Sequence, residues 1–208
     1  MRFRRRRKTL PASIRMRLRR ERWALKVLTF TVVAVAVVFS RSAVRPTDGG
    51  DQVRYGDREF RVVHVVDGDT LDIDVPDDGD AVTRIRLWGV DTPEVRHGGT
   101  PDMHFGPEAK AFAERTLENR TVHVALSPKR TRDKYERLLA YVFLERGGRM
   151  FNEMLLEEGY AYADLRFKHH YFDRFKAVEK RARKAGVGLW AEITPDKMPP
   201  WKQRFEGE

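Results

Sequence analysis

The chain has 208 residues and no cysteine, a length that suits one domain with a small appendage, and it can have no disulfide framework, thiolate zinc site or cysteine nucleophile. Its formal charge of +10 is uneven: residues 1–45 hold fourteen basic residues against the single acid Glu21, whereas residues 46–208 hold twenty-seven basic and thirty acidic residues. The body is therefore nearly neutral, which weakens the case for binding of nucleic acid by bulk charge; any anion it binds must be held by a few placed cations.

The first segment reads as a targeting leader. A basic run from Arg2 to Arg22 precedes an apolar run, Trp23 to Ser40, broken only by Lys26. Residues 23–40 are expected to be a signal peptide or an uncleaved membrane anchor. Eighteen helical residues reach about 27 Å, enough to cross the hydrocarbon, and Ser40-x-Ser42 offers a cleavage site. Both alternatives keep residues 1–22 in the cytoplasm and put the body at the outer face of the cell membrane or free outside it. Residues 41–56 read as a linker, 57–193 as the folded body and 194–208 as a C-terminal tail.

In the body, Phe60 to Val66 is a β-branched run followed by Asp67-Gly68, a hairpin signal. Leu71 to Val75 alternates with period two, as does Val82 to Val90, where Arg84 and Arg86 oppose Ile85 and Leu87. Pro107 to Asn119 has a helical pattern, Thr121 to Leu126 predicts a fourth strand and Leu138 to Leu144 a fifth. Helices are expected over Met150 to Gly159 and Tyr171 to Ala185, the latter with Phe172, Phe175, Val178 and Ala182 on one face. Five strands with a helix between the third and fourth is the order of an OB-type barrel, an α+β fold that is mainly β barrel, here with three helices.

Three segments carry the chemistry: Val66 to Thr70, Arg86 to Glu94, and Asp133 to Arg137. Asp69 and Asp91 are carboxylates at strand ends, hard oxygen ligands suited to calcium or magnesium. Pro93 fixes the turn that aims Glu94. Arg86 and Arg137 are planar forks suited to bidentate phosphate binding. A cation, a carboxylate base and two arginines make up the inventory for phosphodiester cleavage.

Taken together, VVDGDT (65–70), RLWGVDTPE (86–94), FGPEAKAF (105–112), DKYERLLAYVF (133–143), FNEMLLEEGYA (151–161) and GLWAE (188–192) resemble the staphylococcal nuclease family. The resemblance implies an OB-fold, calcium-dependent nuclease that cuts DNA and RNA, in single-stranded or frayed form, and leaves 3′-phosphate ends. It implies Asp69 and Asp91 as side-chain calcium ligands and Thr92 as a backbone-carbonyl ligand. Arg86 and Arg137 would bind the scissile phosphate, Glu94 would act as general base or position the attacking water, and Lys134 and Tyr135 would line the nucleotide site. A monomer with no obligate protein partner is expected. Two readings from other classes compete: a non-catalytic nucleic-acid-binding module, and an OB-fold adaptor. Neither accounts for Asp69, Arg86, Asp91, Glu94 and Arg137 together.

The chain departs from the family pattern in places. Glu136 stands where the family commonly has glycine, and is expected to face solvent. Leu165 and Phe167 fall where tyrosines flank the nucleotide. Tyr160 and Tyr162 are expected in the core. His97, His104, His169 and His170 lack metal-site spacing, and His64 and His123 are expected to pack within strands.

Overall fold

The computed structural model describes residues 49–95 and 101–206. The leader with its segment 23–40, residues 41–48 of the expected linker and His97 lie outside the described residues. Among the described residues no helix is long and apolar enough to cross a membrane.

Five strands close a barrel in the order β1-β2-β3-β6-β5: β1 (Arg58–Asp67), β2 (Thr70–Ile73), β3 (Thr83–Leu87), β5 (Thr121–Leu126) and β6 (Leu138–Phe143). The β3–β6 pair is parallel and closes the barrel, with Arg86 beside Leu139. The alternation read from the sequence is the burial pattern of β3, where Thr83, Ile85 and Leu87 are buried and Arg84 is exposed. The predicted single strand 82–90 is broken, however. Gly89 adopts φ 81°, and the chain leaves the barrel to form β4 (Val90–Asp91), paired with β7 (Tyr162–Ala163). Glycine is required at this break. A Cβ on Gly89 would sit 2.4 Å from the His169 ring as well as in the left-handed region.

The three expected helices are Gly106–Leu117, Phe151–Glu157 and Phe172–Ala185, α2, α3 and α4 in chain order. Asn152 on α3 ties the break to the barrel: its side-chain amide donates to the Trp88 and Ala140 carbonyls and accepts from Val142 N–H. Tyr162 is fully buried, and Tyr160 stacks on Phe112 at 4.3 Å. His123 is buried beside Asp57, but His64 points out of the barrel, 58 % exposed and 3.8 Å from Glu118. In β1, His64 lies between the inward-facing Val62 and Val65, where a register shift turns it outward.

Both ends of the body are more ordered than the sequence suggested. Gly49–Tyr55, expected within the linker, is a helix, α1. Tyr55 is buried in the core, and Arg132 pairs with Asp51 at 2.8 Å and Asp77 at 2.6 Å. The expected tail 194–208 contains α5 (Pro200–Glu206). Trp201 and Met198 join Tyr162, Ala182, Leu189 and Trp190 in a second apolar cluster. Both helices are too short to persist alone and exist by tertiary contact.

Candidate active site

The β1–β2 turn, the end of β3, the segment after β4 and the loop before β6 converge on one cleft of about 600 Å³. Asp69, Arg86, Asp91, Glu94, Lys134, Tyr135 and Arg137 all line it. Thr92 lies behind them, buried, and its N–H donates to Asp69 Oδ2 at 2.8 Å. Gly68 permits this approach, since a Cβ there would meet the Thr92 side chain at 2.8 Å.

Arg86 is clamped between two carboxylates. Its Nη1 lies 2.7 Å from Asp69 Oδ2 and its Nη2 2.6 Å from Asp91 Oδ1, with the guanidinium side chain only 12 % exposed. Burial works against its charge, but Asp69 and Asp91 more than offset this and raise its pKa. To meet a phosphate, Arg86 must give up part of this pairing.

The acidic wall has more members than the sequence suggested. Asp67, outside the predicted set, is hydrogen-bonded to Glu94. Desolvation, that hydrogen bond and the charges of Asp69 and Asp67 push Glu94 up to about 7, although the residue is exposed. Burial, joined by the Asp69 charge, raises Asp67 as well. Burial also raises Asp91, with Asp69 adding to the rise against the opposing pull of Arg86 and Arg166. Three neighbouring carboxyls with raised pKa values indicate too little local positive charge.

On the opposite side Arg137 is held by Asp133, Nη2 to Oδ2 at 2.6 Å and Nε to Oδ2 at 2.7 Å. Tyr135, 66 % exposed, lies beneath Lys134 Nζ at 4.7 Å and the Arg137 guanidinium at 5.4 Å. Glu136 is exposed, as expected, and has φ 65°. A left-handed backbone costs a non-glycine residue about 1–2 kcal/mol, which explains a glycine preference at this position. Glu136→Gly should raise stability by up to about 1 kcal/mol after the entropy of glycine is subtracted. Urea denaturation checks this, and a loss of stability would show that the Glu136 side chain is needed.

Sequence reasoning missed two groups at Asp91. Arg166 Nη2 lies 3.0 Å from Asp91 Oδ1, while its Nε and Nη2 also meet Asp164. Trp201 Nε1 donates to Asp91 Oδ2 at 2.8 Å. Arg166 sits between the aligned positions Leu165 and Phe167, a place that could have drawn notice; Trp201 lies beyond the last recognisable motif. Leu165 packs into both apolar clusters and does not face the cleft. Phe167 lines it, stacked on Trp88 at 5.9 Å. His169 lies behind the break at Gly89: burial depresses it to about 4, and its Nδ1 bonds the Tyr141 hydroxyl.

The profile of the family described as staphylococcal nuclease homologue matches residues 84–192, more than half of the chain. A thermonuclease of Staphylococcus hyicus is 35 % identical over 172 residues, covering 80 % of this chain and 98 % of that one. The chain belongs to the staphylococcal nuclease homologues. A thermonuclease of Staphylococcus intermedius is 36 % identical over 132 residues, 63 % of this chain and 75 % of that one. The SPbeta prophage-derived endonuclease YokF of Bacillus subtilis is 30 % identical over 129 residues, 61 % of this chain but 42 % of that one.

The donor set of this staphylococcal nuclease homologue fits a hard divalent cation. Asp67, Asp69, Asp91 and Glu94 offer oxygen only, and the raised pKa values of Asp67, Asp91 and Glu94 mark a demand for positive charge that Arg86 leaves unmet. Among the described residues no three His, Asp or Glu side chains form a ready metal-holding cluster. A cation in this cleft would therefore lean on two carboxylates with backbone oxygen and water.

Proposed function

We propose that this nuclease is a calcium-dependent phosphodiesterase acting on DNA and RNA, with Asp69, Asp91 and the Thr92 carbonyl as the calcium ligands. The observation that carries the reading is the convergence of Glu94, Arg86 and Arg137 on one cleft with these carboxylates. Calcium would supply positive charge to the phosphate and to the attacking water.

The rest falls to the side chains. Glu94, with a pKa near 7, is matched to accept a proton from water at neutral pH. As the water oxygen bonds to phosphorus and the bond to the leaving ester oxygen breaks, Arg86 and Arg137 donate to the phosphoryl oxygens that gain charge. Asp133 takes one edge of Arg137 and so fixes the direction of the guanidinium. Tyr135 and Phe167, both exposed at the cleft, offer faces on which a base can stack.

Digestion of single-stranded DNA and RNA by the full chain tests this. Cleavage should require calcium, stop in EGTA and proceed poorly in magnesium, because an open, flexible oxygen site suits the larger ion. Equal rates in calcium-free magnesium overturn the calcium reading. In the same assay Arg137→Lys should lose about 100-fold in turnover, about 2.7 kcal/mol, since a point charge cannot replace the fork. A loss below about threefold removes Arg137 from the transition state.

The leader supports a further part of the proposal: the body works beyond the membrane. Protease added to intact cells expressing the full chain should digest the body. Protection until lysis reverses the topology.

A further inference from the structure

The Asp91 carboxylate is held at both oxygens. Oδ1 accepts from Arg86 at 2.6 Å and from Arg166 at 3.0 Å, and Oδ2 accepts from the Trp201 indole at 2.8 Å. The third contact comes from α5, a helix 110 residues further along the chain. An indole N–H can only donate, so this bond fixes the orientation of its acceptor without competing for a proton.

The indole is itself fixed from several directions. Trp201 is 6 % exposed and meets the Tyr162 ring edge-on at 6.4 Å. Tyr162 is the residue that pairs with Asp91 across β4 and β7. The Arg166 guanidinium lies 4.5 Å from the centroid of the Trp201 ring. Behind it, Lys202 Nζ meets Glu179 of α4 at 2.7 Å, a buried pair that anchors the helix. Packing alone needs only an apolar ring in this cluster. A polar indole edge aimed at a carboxylate of the cleft does something more.

We propose that Trp201 is a positioning residue of the active site, its indole N–H holding the Asp91 carboxylate in the orientation that receives a divalent cation, so that α5 is a working part of the nuclease. The inference rests on the reading of Asp91 as a calcium ligand. Residues that orient metal-binding carboxylates typically change metal affinity by about 10–100-fold when removed.

Calcium titration of the full chain by calorimetry, without nucleic acid, is the test. Trp201→Phe keeps an aromatic ring and removes the N–H; its calcium dissociation constant should rise about tenfold, with its melting in EGTA close to that of the parent. At saturating calcium its kcat and its KM for DNA should return to parental values. In the parent chain, the Trp201 indole N–H resonance should shift during the titration and saturate with the calorimetric dissociation constant. This arm does not depend on the variant folding. A folded Trp201→Phe that binds calcium as the parent does, or an indole resonance that does not move, overturns the positioning role and leaves the calcium reading standing. A parent chain that takes up no calcium overturns both.

Discussion

Glu94→Gln should lower turnover by about a thousandfold, about 4 kcal/mol in the barrier, because a positioned general base contributes about 10²–10⁴ and an amide cannot accept the proton. Steady-state kinetics on single-stranded DNA at saturating calcium measures the loss. A drop of less than about tenfold would show that another group activates the water. The pH dependence separates the roles further. A bound cation draws the pKa of this base down from its metal-free value of about 7, so the parental rate should climb with pH below neutrality, and the residual rate of the Gln variant should not. Stability carries the opposite sign. The folded-state pKa lies above the ordinary 4.5, so the folded protein binds this proton more tightly than the unfolded chain does. That contribution is full at low pH and is lost as pH rises through about 7. In EGTA, Glu94→Gln should therefore gain stability relative to the parent between about pH 5 and about pH 8. Urea midpoints that run parallel across this range would mean that Glu94 carries no raised pKa.

What the sequence made legible follows from periodicity and from local chemistry. Alternation over 83–87 placed Ile85 and Leu87 inside and Arg84 outside, because a strand has period two and one face of this barrel is core. The Asp67-Gly68 signal located the β1–β2 turn, and with it Asp69. Arg86, Asp91, Glu94 and Arg137 belong to segments whose local order is distinctive, so their arrival in one cleft was foreseeable. The break after Leu87 was not, because Trp88-Gly89-Val90 continues the alternation and only the His169 ring and the β7 strand show why the chain turns there.

The unforeseen parts of the site are all products of distance. Asp67 and Glu94 are 27 positions apart in the sequence, and their hydrogen bond exists because the β1 end and the segment after β4 meet at one rim. Arg166 reaches Asp91 across 75 positions and Trp201 across 110. No short window contains either pair. Trp201 was also hidden by its setting: residues 194–208 are polar, with prolines at 195, 199 and 200, which by composition read as a tail. The burial of Met198, Trp201 and Lys202 makes it part of the body.

That burial has a measurable consequence. Lys202→Met should cost about 3–5 kcal/mol of stability, the usual result of removing one partner from a buried ion pair. Lys202 Nζ lies 2.7 and 2.9 Å from the two Glu179 oxygens, with the lysine side chain 2 % exposed and the glutamate 9 %. Without the ammonium, Glu179 would remain charged and buried near Tyr162, with the Ala163 N–H at 2.9 Å as its remaining described donor. The double variant Glu179→Gln, Lys202→Met should recover much of the loss, because a neutral amide still accepts from Ala163 and leaves no isolated charge. Urea denaturation of the two variants against the parent measures both effects. A single variant that loses less than about 1 kcal/mol would mean that solvent reaches this pair and that α5 is not docked. Because Glu179 also supports β7, whose partner strand ends in Asp91, loosening at Lys202 should be transmitted to the cleft by two routes, through the Trp201 indole and through the β4–β7 ladder. Lys202→Met should therefore weaken calcium binding more than Trp201→Phe does, since the latter severs only one of the two.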